Sequence, residues 1–152
     1  MTLLETLDQQ LLTGQDLAQR YPQRYHLDYA ISRGLYRRVA RGYYLHRSLW
    51  ASLTDQAQYL VTLLAHARLY PGVIFSHESA ALLHTLPLEQ LPEEVHLYSY
   101  YRIRAQAVRV HHGSLHLPTD TTVFLPGLRV TSLERTLEDL AQQSQGRAQV
   151  YL

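Results

Sequence analysis

The twelve residues Gly34-Leu35-Tyr36-Arg37-Arg38-Val39-Ala40-Arg41-Gly42-Tyr43-Tyr44-Leu45 leave a chain few ways to fold. Branched and aromatic side chains fill residues 35–39 and 43–45, where a pleated strand accommodates them, and Arg41-Gly42 stands between the two runs. The spacing predicts a hairpin. Arg37, Arg38 and Arg41 crowd onto it. A hairpin has little structural use for so much charge, whereas each guanidinium can neutralise a phosphate and release a counterion. Side chains alternate along a strand, so Arg37 and Arg41 are expected on one face and Arg38 on the other.

What precedes the hairpin is helical in period. Leu3, Leu4, Leu7 and Leu11 predict an amphipathic helix over residues 2–12. Thr13 and Asp16 form a plausible capping pair for a short second helix, which Tyr21-Pro22 ends. In residues 23–32, at roughly 100° per residue, Leu27, Ala30 and Ile31 share one face, and Tyr25, Tyr29 and Ser32 share the other, flanked by Asp28 and Arg33. Three short helices leading into a basic hairpin is the order of a winged helix-turn-helix, with the third helix in the recognition position and the hairpin as the wing. In that arrangement Tyr25, Tyr29 and Ser32 reach base edges or sugar-phosphate, Arg24 and Arg33 clamp the backbone, and Arg37, Arg38 and Arg41 secure it beside the groove. Asp28 would repel phosphate, so its expected use is to hold an arginine or to accept from a cytosine amino group. Two blander readings stand alongside: a solvated arginine face, and tyrosines, of which the chain has 12, packed at a domain interface.

The formal net charge of +1 conceals where the charge lies. Residues 20–47 hold Arg20, Arg24, Arg33, Arg37, Arg38, Arg41 and Arg47 against the single acid Asp28, and the remainder is net acidic. All 14 basic residues are arginine, which suits bidentate contacts to phosphate and guanine, although GC-rich codon usage produces the same bias. With no cysteine there can be neither disulfides nor thiolate metal sites, and a reducing cytoplasm is the expected compartment. No apolar run approaches the ~20 residues of a membrane span, and Glu5 and Asp8 stand where a signal peptide carries positive charge. No membrane partner is expected.

Beyond the hairpin, residues 48–52 read as a connector, with Trp50 as an anchor that docks the two halves. Tyr59, Leu60, Leu63, Leu64 and Ala67 predict a helix over residues 55–70, stopped by Pro71-Gly72. Val73-Ile74-Phe75 is a short strand, and Ser76 a natural N-cap for a helix over residues 77–86. From Pro92 the period becomes two: Val95 and Leu97 alternate with His96 and Tyr98, and Val108 and Val110 with Arg109 and His111, giving two strands around a polar link. Residues 121–125 and 128–131 form a second hairpin through Pro126-Gly127. Thr131 with Glu134 predicts a capping box, and Leu133, Leu137 and Leu140 line one face of a closing helix to about Gln142, with residues 144–152 frayed or in an edge strand. The fold class is therefore α+β: a winged helix-turn-helix in residues 1–47, a connector in 48–54, and a small mixed α/β domain in 55–152.

Nine histidines raise the question of metal. His77-Glu78 with His84 lacks the i, i+4 spacing of a zincin helix, and on a strand His111 and His112 point to opposite faces, so His111, His112, His116 and Asp120 cannot all serve one cation. Structural histidines are the favoured reading, and no metal site is assigned. Ser76, His77 and Glu78 are triad residue types, but neighbours at a helix start project in different directions. Arg135 and Asp139 suit an i, i+4 ion pair, either an internal staple or part of a partner surface. There is no phosphate-binding glycine loop. The expectation is a protein that is not an enzyme and carries no cofactor.

Three stretches together resemble the AbiEi family of antitoxins and their actinobacterial relatives. The hairpin with its preceding residue, Arg33 to Tyr44, resembles the family's wing. Phe75-Ser76-His77-Glu78-Ser79-Ala80-Ala81-Leu82-Leu83-His84 resembles the start of its second domain, and Leu128-Arg129-Val130-Thr131-Ser132-Leu133-Glu134-Arg135-Thr136-Leu137-Glu138-Asp139-Leu140-Ala141 the helix that closes it. The resemblance implies a transcriptional regulator that binds double-stranded DNA at its own promoter and counteracts a nucleotidyltransferase toxin. Many related chains continue into a very-short-patch-repair-like endonuclease domain; this sequence ends soon after Ala141, so that domain is expected to be absent. Two copies on an inverted repeat, a homodimer on DNA, suit the general geometry of such domains. The competing readings are a protein-interaction module and the regulatory half of a truncated or split nuclease.

Overall fold

The computed structural model describes residues 2–151, with side chains through Ser144, and divides the chain into two units, residues 1–69 and 70–152. The division lies beyond the connector expected at residues 48–54, where a helix runs instead. Both units mix helix and strand, and each has its own sheet.

The first unit runs α1 (Leu3–Gln10), β1 (Leu12–Thr13), α2 (Gly14–Arg20), α3 (Arg24–Ser32), β2 (Tyr36–Ala40), β3 (Tyr43–His46), α4 (Arg47–Ser52) and α5 (Asp55–Leu69). Thr2 caps α1 by accepting from the Glu5 N–H. The expected capping pair forms reciprocally: Asp16 N–H donates to Thr13 Oγ1 at 3.0 Å, and Thr13 N–H to Asp16 Oδ2 at 2.8 Å. The first helix is shorter than its periodicity suggested because Leu12 and Thr13 pair with Tyr44 and Tyr43, so the sheet has the order β1-β3-β2, antiparallel throughout. Leu7, Leu11, Leu17, Ala30 and Leu45 are buried, and α5 packs on α1 and β2. Arg68 on α5 donates to both the Asp8 carboxylate (2.9 Å) and the Asp8 carbonyl (2.8 Å), fastening α5 to the end of α1. Ile31, expected inside, is 43% exposed; Ala30 and Leu27 alone seat α3.

The second unit contains β4 (Ile74–Phe75), α6 (His77–Leu83), β5 (Val95–Tyr98), β6 (Val108–His111), α7 (Leu117–Asp120), β7 (Thr121–Leu125), β8 (Leu128–Thr131) and α8 (Leu133–Tyr151). Its sheet has the order β6-β5-β4-β8-β7. β4 is central, antiparallel to β5 and parallel to β8, while β5 and β6 run parallel, so residues 99–107 must carry the chain back along the strand. The Pro126-Gly127 hairpin joins β7 and β8, with Gly127 at φ +83° where an L side chain is disfavoured.

Four expectations are corrected here. Ser76 precedes α6 but does not cap it, because its hydroxyl is bonded to His77 Nδ1 at 2.9 Å. The capping box of Thr131 and Glu134 does not form: Ser132 Oγ accepts the Arg135 N–H, and Thr131 Oγ1 is bonded to Thr136 Oγ1 inside the protein. Leu133 and Leu137 are 40% and 50% exposed, since α8 turns Thr136 and Asp139 inward instead. α8 itself continues to Tyr151, with no edge strand at its end.

Candidate functional site

In the first unit, α3 is seated by its buried Ala30 and half-buried Leu27, which leaves Arg24, Tyr25, Tyr29, Ser32 and Arg33 facing solvent. Tyr25 and Tyr29 are 72% and 58% exposed. Each ring is touched by a neighbour on its own segment, Tyr25 by the His26 ring at 4.7 Å and Tyr29 by Arg33. Arg33 ends the helix with its guanidinium 5.7 Å from the Tyr29 ring, and the Ser32 hydroxyl donates to the Tyr29 carbonyl at 2.8 Å. The hairpin follows at once. Its base is tied to α2: Arg20 Nη1 donates to the Tyr36 hydroxyl at 3.2 Å, and the Tyr21 and Tyr36 hydroxyls share a bond of 3.0 Å.

The three hairpin arginines differ in what surrounds them. Arg37 pairs across the ladder with the fully buried Leu45, and its guanidinium lies 5.1 Å from the Trp50 ring. Arg38 is opposite Tyr44 and exposed. A bulge at Val39 then breaks the alternation, and Arg41 stands with Gly42 (φ +84°) in the turn, outside the ladder. Strand alternation therefore does not put Arg41 on the face of Arg37, as the sequence had suggested. Among the described residues none of these arginines, nor Arg24, Arg33 or Asp28, belongs to an ion pair.

In the second unit, polar side chains that the sequence spreads over many positions meet at a cavity of about 1080 Å³. His96 and Tyr98 on β5 and Arg109 and His111 on β6 face it, and α6 brings His77 and Glu78, α8 Arg135 and Asp139. His96 Nδ1 and His111 Nε2 share a hydrogen bond of 2.9 Å, His77 stacks on His111 with ring centroids 3.6 Å apart, and Glu78 Oε2 lies 3.4 Å from His96 Nε2. His77 holds a left-handed backbone at φ +52°, a conformation costing a non-glycine residue on the order of 1 kcal/mol. Burial lowers the His77 imidazole below its ordinary value, and burial together with His77 and His96 pushes His111 down to about 3. Both shifts favour the neutral ring. Beside them Asp139, 5% exposed, accepts from the Tyr98 hydroxyl at 3.0 Å and from Arg135 Nε at 2.9 Å, and Arg135 also donates to the Ser114 carbonyl at 2.8 Å. The i, i+4 pair is thus a staple inside a closed network. Among the described residues no three histidine or acidic side chains converge as a metal site.

Comparison with protein-family models, with curated proteins and with solved structures finds no match to this chain. What it does has to be read from these side chains. The eight residues singled out on the first unit lie on consecutive elements, α3 and β2 with its turn. The cluster around His96, Tyr98 and Arg109 is not legible in the sequence. The period-two pattern does put His96 with Tyr98 and Arg109 with His111 on strand faces, but only the parallel register, with Tyr98 opposite His111, brings the two pairs together.

Proposed function

We propose that the first unit is a winged helix-turn-helix that binds double-stranded DNA sequence-specifically, as the antitoxin-like transcriptional regulator of its own promoter in the cytoplasm. The observation that carries this reading is a third helix with Tyr25 and Tyr29 turned outward, followed directly by a hairpin with the unpaired Arg38 and Arg41 exposed. The sheet order β1-β3-β2, in which the segment between α1 and α2 joins the hairpin as a third strand, suits a rigid wing. Tyr25, Tyr29, Ser32 and Arg33 read or straddle the major groove, Arg24 and Arg38 take phosphates beside it, and Arg41 reaches the backbone from the turn. Arg37 contributes field while its guanidinium rests on Trp50. Two copies on an inverted repeat supply the affinity that one short helix lacks. The toxin-binding half of the reading rests on the resemblance of residues 75–84 and 128–141, and on Leu133 and Leu137, which leave α8 an exposed apolar pair.

Titration of the purified protein against its promoter duplex and a scrambled duplex, at several salt concentrations, tests this. The promoter should bind ~1000-fold or more tightly, with both affinities falling steeply in salt. Arg41→Ala should weaken both duplexes and flatten the logarithmic salt slope by about 0.9. If neither duplex binds near physiological salt, the arginines are only a solvated face and the proposal fails.

A further inference from the structure

The second unit carries another basic and aromatic surface. From residue 95 to residue 119 the sequence has Arg102, Arg104 and Arg109 and no acidic residue. Residues 99–107 make the return between the parallel strands β5 and β6, and their start is held in place: Ser99 Oγ accepts the Tyr101 N–H at 3.1 Å and donates to the Tyr101 carbonyl at 2.6 Å, and the Tyr101 hydroxyl donates to the Pro71 carbonyl at 2.8 Å. Tyr100, between these anchors, is 75% exposed. Arg102 and Arg104 are exposed too, and neither has a hydrogen bond or ion pair among the described residues. Beside Tyr100, where β5 and β6 end, lies a hollow of about 330 Å³ whose walls include Tyr98, His111 and His112, with Ile74 and Leu115 as apolar lining.

A large ring kept in solvent by a fastened loop, a hollow big enough for one planar heterocycle, and two free guanidiniums two and four residues on make a consistent set. Stacking needs an open face. In a duplex each base face is covered by its neighbours, so Tyr100 can stack only on an unpaired base, while Arg102 and Arg104 can take the phosphates of the strand that carries it. We propose that the second unit binds single-stranded nucleic acid here, one unpaired base lodged in the hollow against Tyr100 and the adjoining phosphates on Arg102 and Arg104. This site is separate from the duplex-binding surface proposed for the first unit, and either can fail alone.

Fluorescence anisotropy of the full chain with labelled single-stranded DNA and RNA of one sequence tests the proposal. Binding of either at near-physiological salt, weakened roughly 5- to 100-fold by Tyr100→Ala and retained by Tyr100→Phe, is the expected result. Tighter RNA binding would mark the 2′-hydroxyl as part of what is recognised, tighter DNA binding its exclusion, and both fit the site. Arg102→Gln with Arg104→Gln should flatten the single-strand salt slope by about 1.4. Arg38→Ala with Arg41→Ala, on the first unit, should leave single-strand affinity unchanged, and Tyr100→Ala should leave duplex affinity unchanged. The proposal is overturned if the parent protein binds neither oligonucleotide, or if Tyr100→Ala binds them as well as the parent does.

Discussion

Gly34 turns the backbone at φ +72° between α3 and β2, and a Cβ built there would stand 2.6 Å from Arg47 Nη1. The arginine tip can swing away; the backbone conformation cannot be escaped as cheaply. Gly34→Ala should therefore cost about 1–2 kcal/mol of stability, measured by urea unfolding, and a variant as stable as the parent would show that the turn has relaxed. In the sequence Gly34 marks only the start of the hairpin; its left-handed backbone closes α3, with the Gly34 N–H donating to the Ile31 carbonyl at 3.0 Å and the Leu35 N–H to the Ala30 carbonyl at 3.1 Å. Arg37 teaches the same lesson. Its position on a strand was legible, but the ring of Trp50, brought near by α4, decides where its guanidinium goes.

At the scale of elements, α8 separates what periodicity can and cannot tell. Leu133, Leu137 and Leu140 do recur at helical spacing, yet Leu133 and Leu137 face outward, because the inward face is chosen by the bonds of Thr136 to Thr131 and of Asp139 to Tyr98 and Arg135. Polar side chains won that face because Thr131 and Tyr98 are fixed on other elements. Asp139→Ala leaves Arg135 and the Tyr98 hydroxyl with unmet hydrogen bonds and should destabilise the second unit by about 3 kcal/mol. Chemical denaturation measures it, and a loss below about 1 kcal/mol would mean that water replaces the carboxylate. The two hairpins, by contrast, were legible outright, since Arg41-Gly42 and Pro126-Gly127 meet a local requirement for positive φ that depends on no distant contact.

For the whole molecule, the groups with lowered pKa set a direction for pH. Burial holds His66, His77 and His111 below their ordinary value, so below about pH 6.5 the unfolded chain takes up protons that the folded chain refuses. Their contribution to stability is complete above that pH and drains away as pH falls, for His111 down to about 3. The Asp16 carboxyl, lowered by the backbone and side-chain bonds from Thr13, adds a loss of the same sign only under more acid conditions. Urea midpoints followed by circular dichroism should drop between about pH 7 and about pH 5, and His111→Phe should shrink that drop. A midpoint that stays level across the interval would mean that these imidazoles are as easily protonated in the folded chain as in the unfolded one.

Among the described residues no helix is long and apolar enough to cross a membrane, in keeping with an arginine-rich chain whose apolar residues come in short periodic runs. Those runs by themselves determined the α+β class, the two hairpins, the capped entry to α2 and the outward face of Tyr25, Tyr29 and Arg33, because each depends on residues within a turn or two of one another. Only the tertiary structure decided that Leu12-Thr13 would leave the first helix for the sheet, that β5 and β6 would run parallel, and that His77, His96 and His111 would meet. Strand order and register follow from which distant faces bury each other, and local period, which says only how side chains alternate, leaves that choice open.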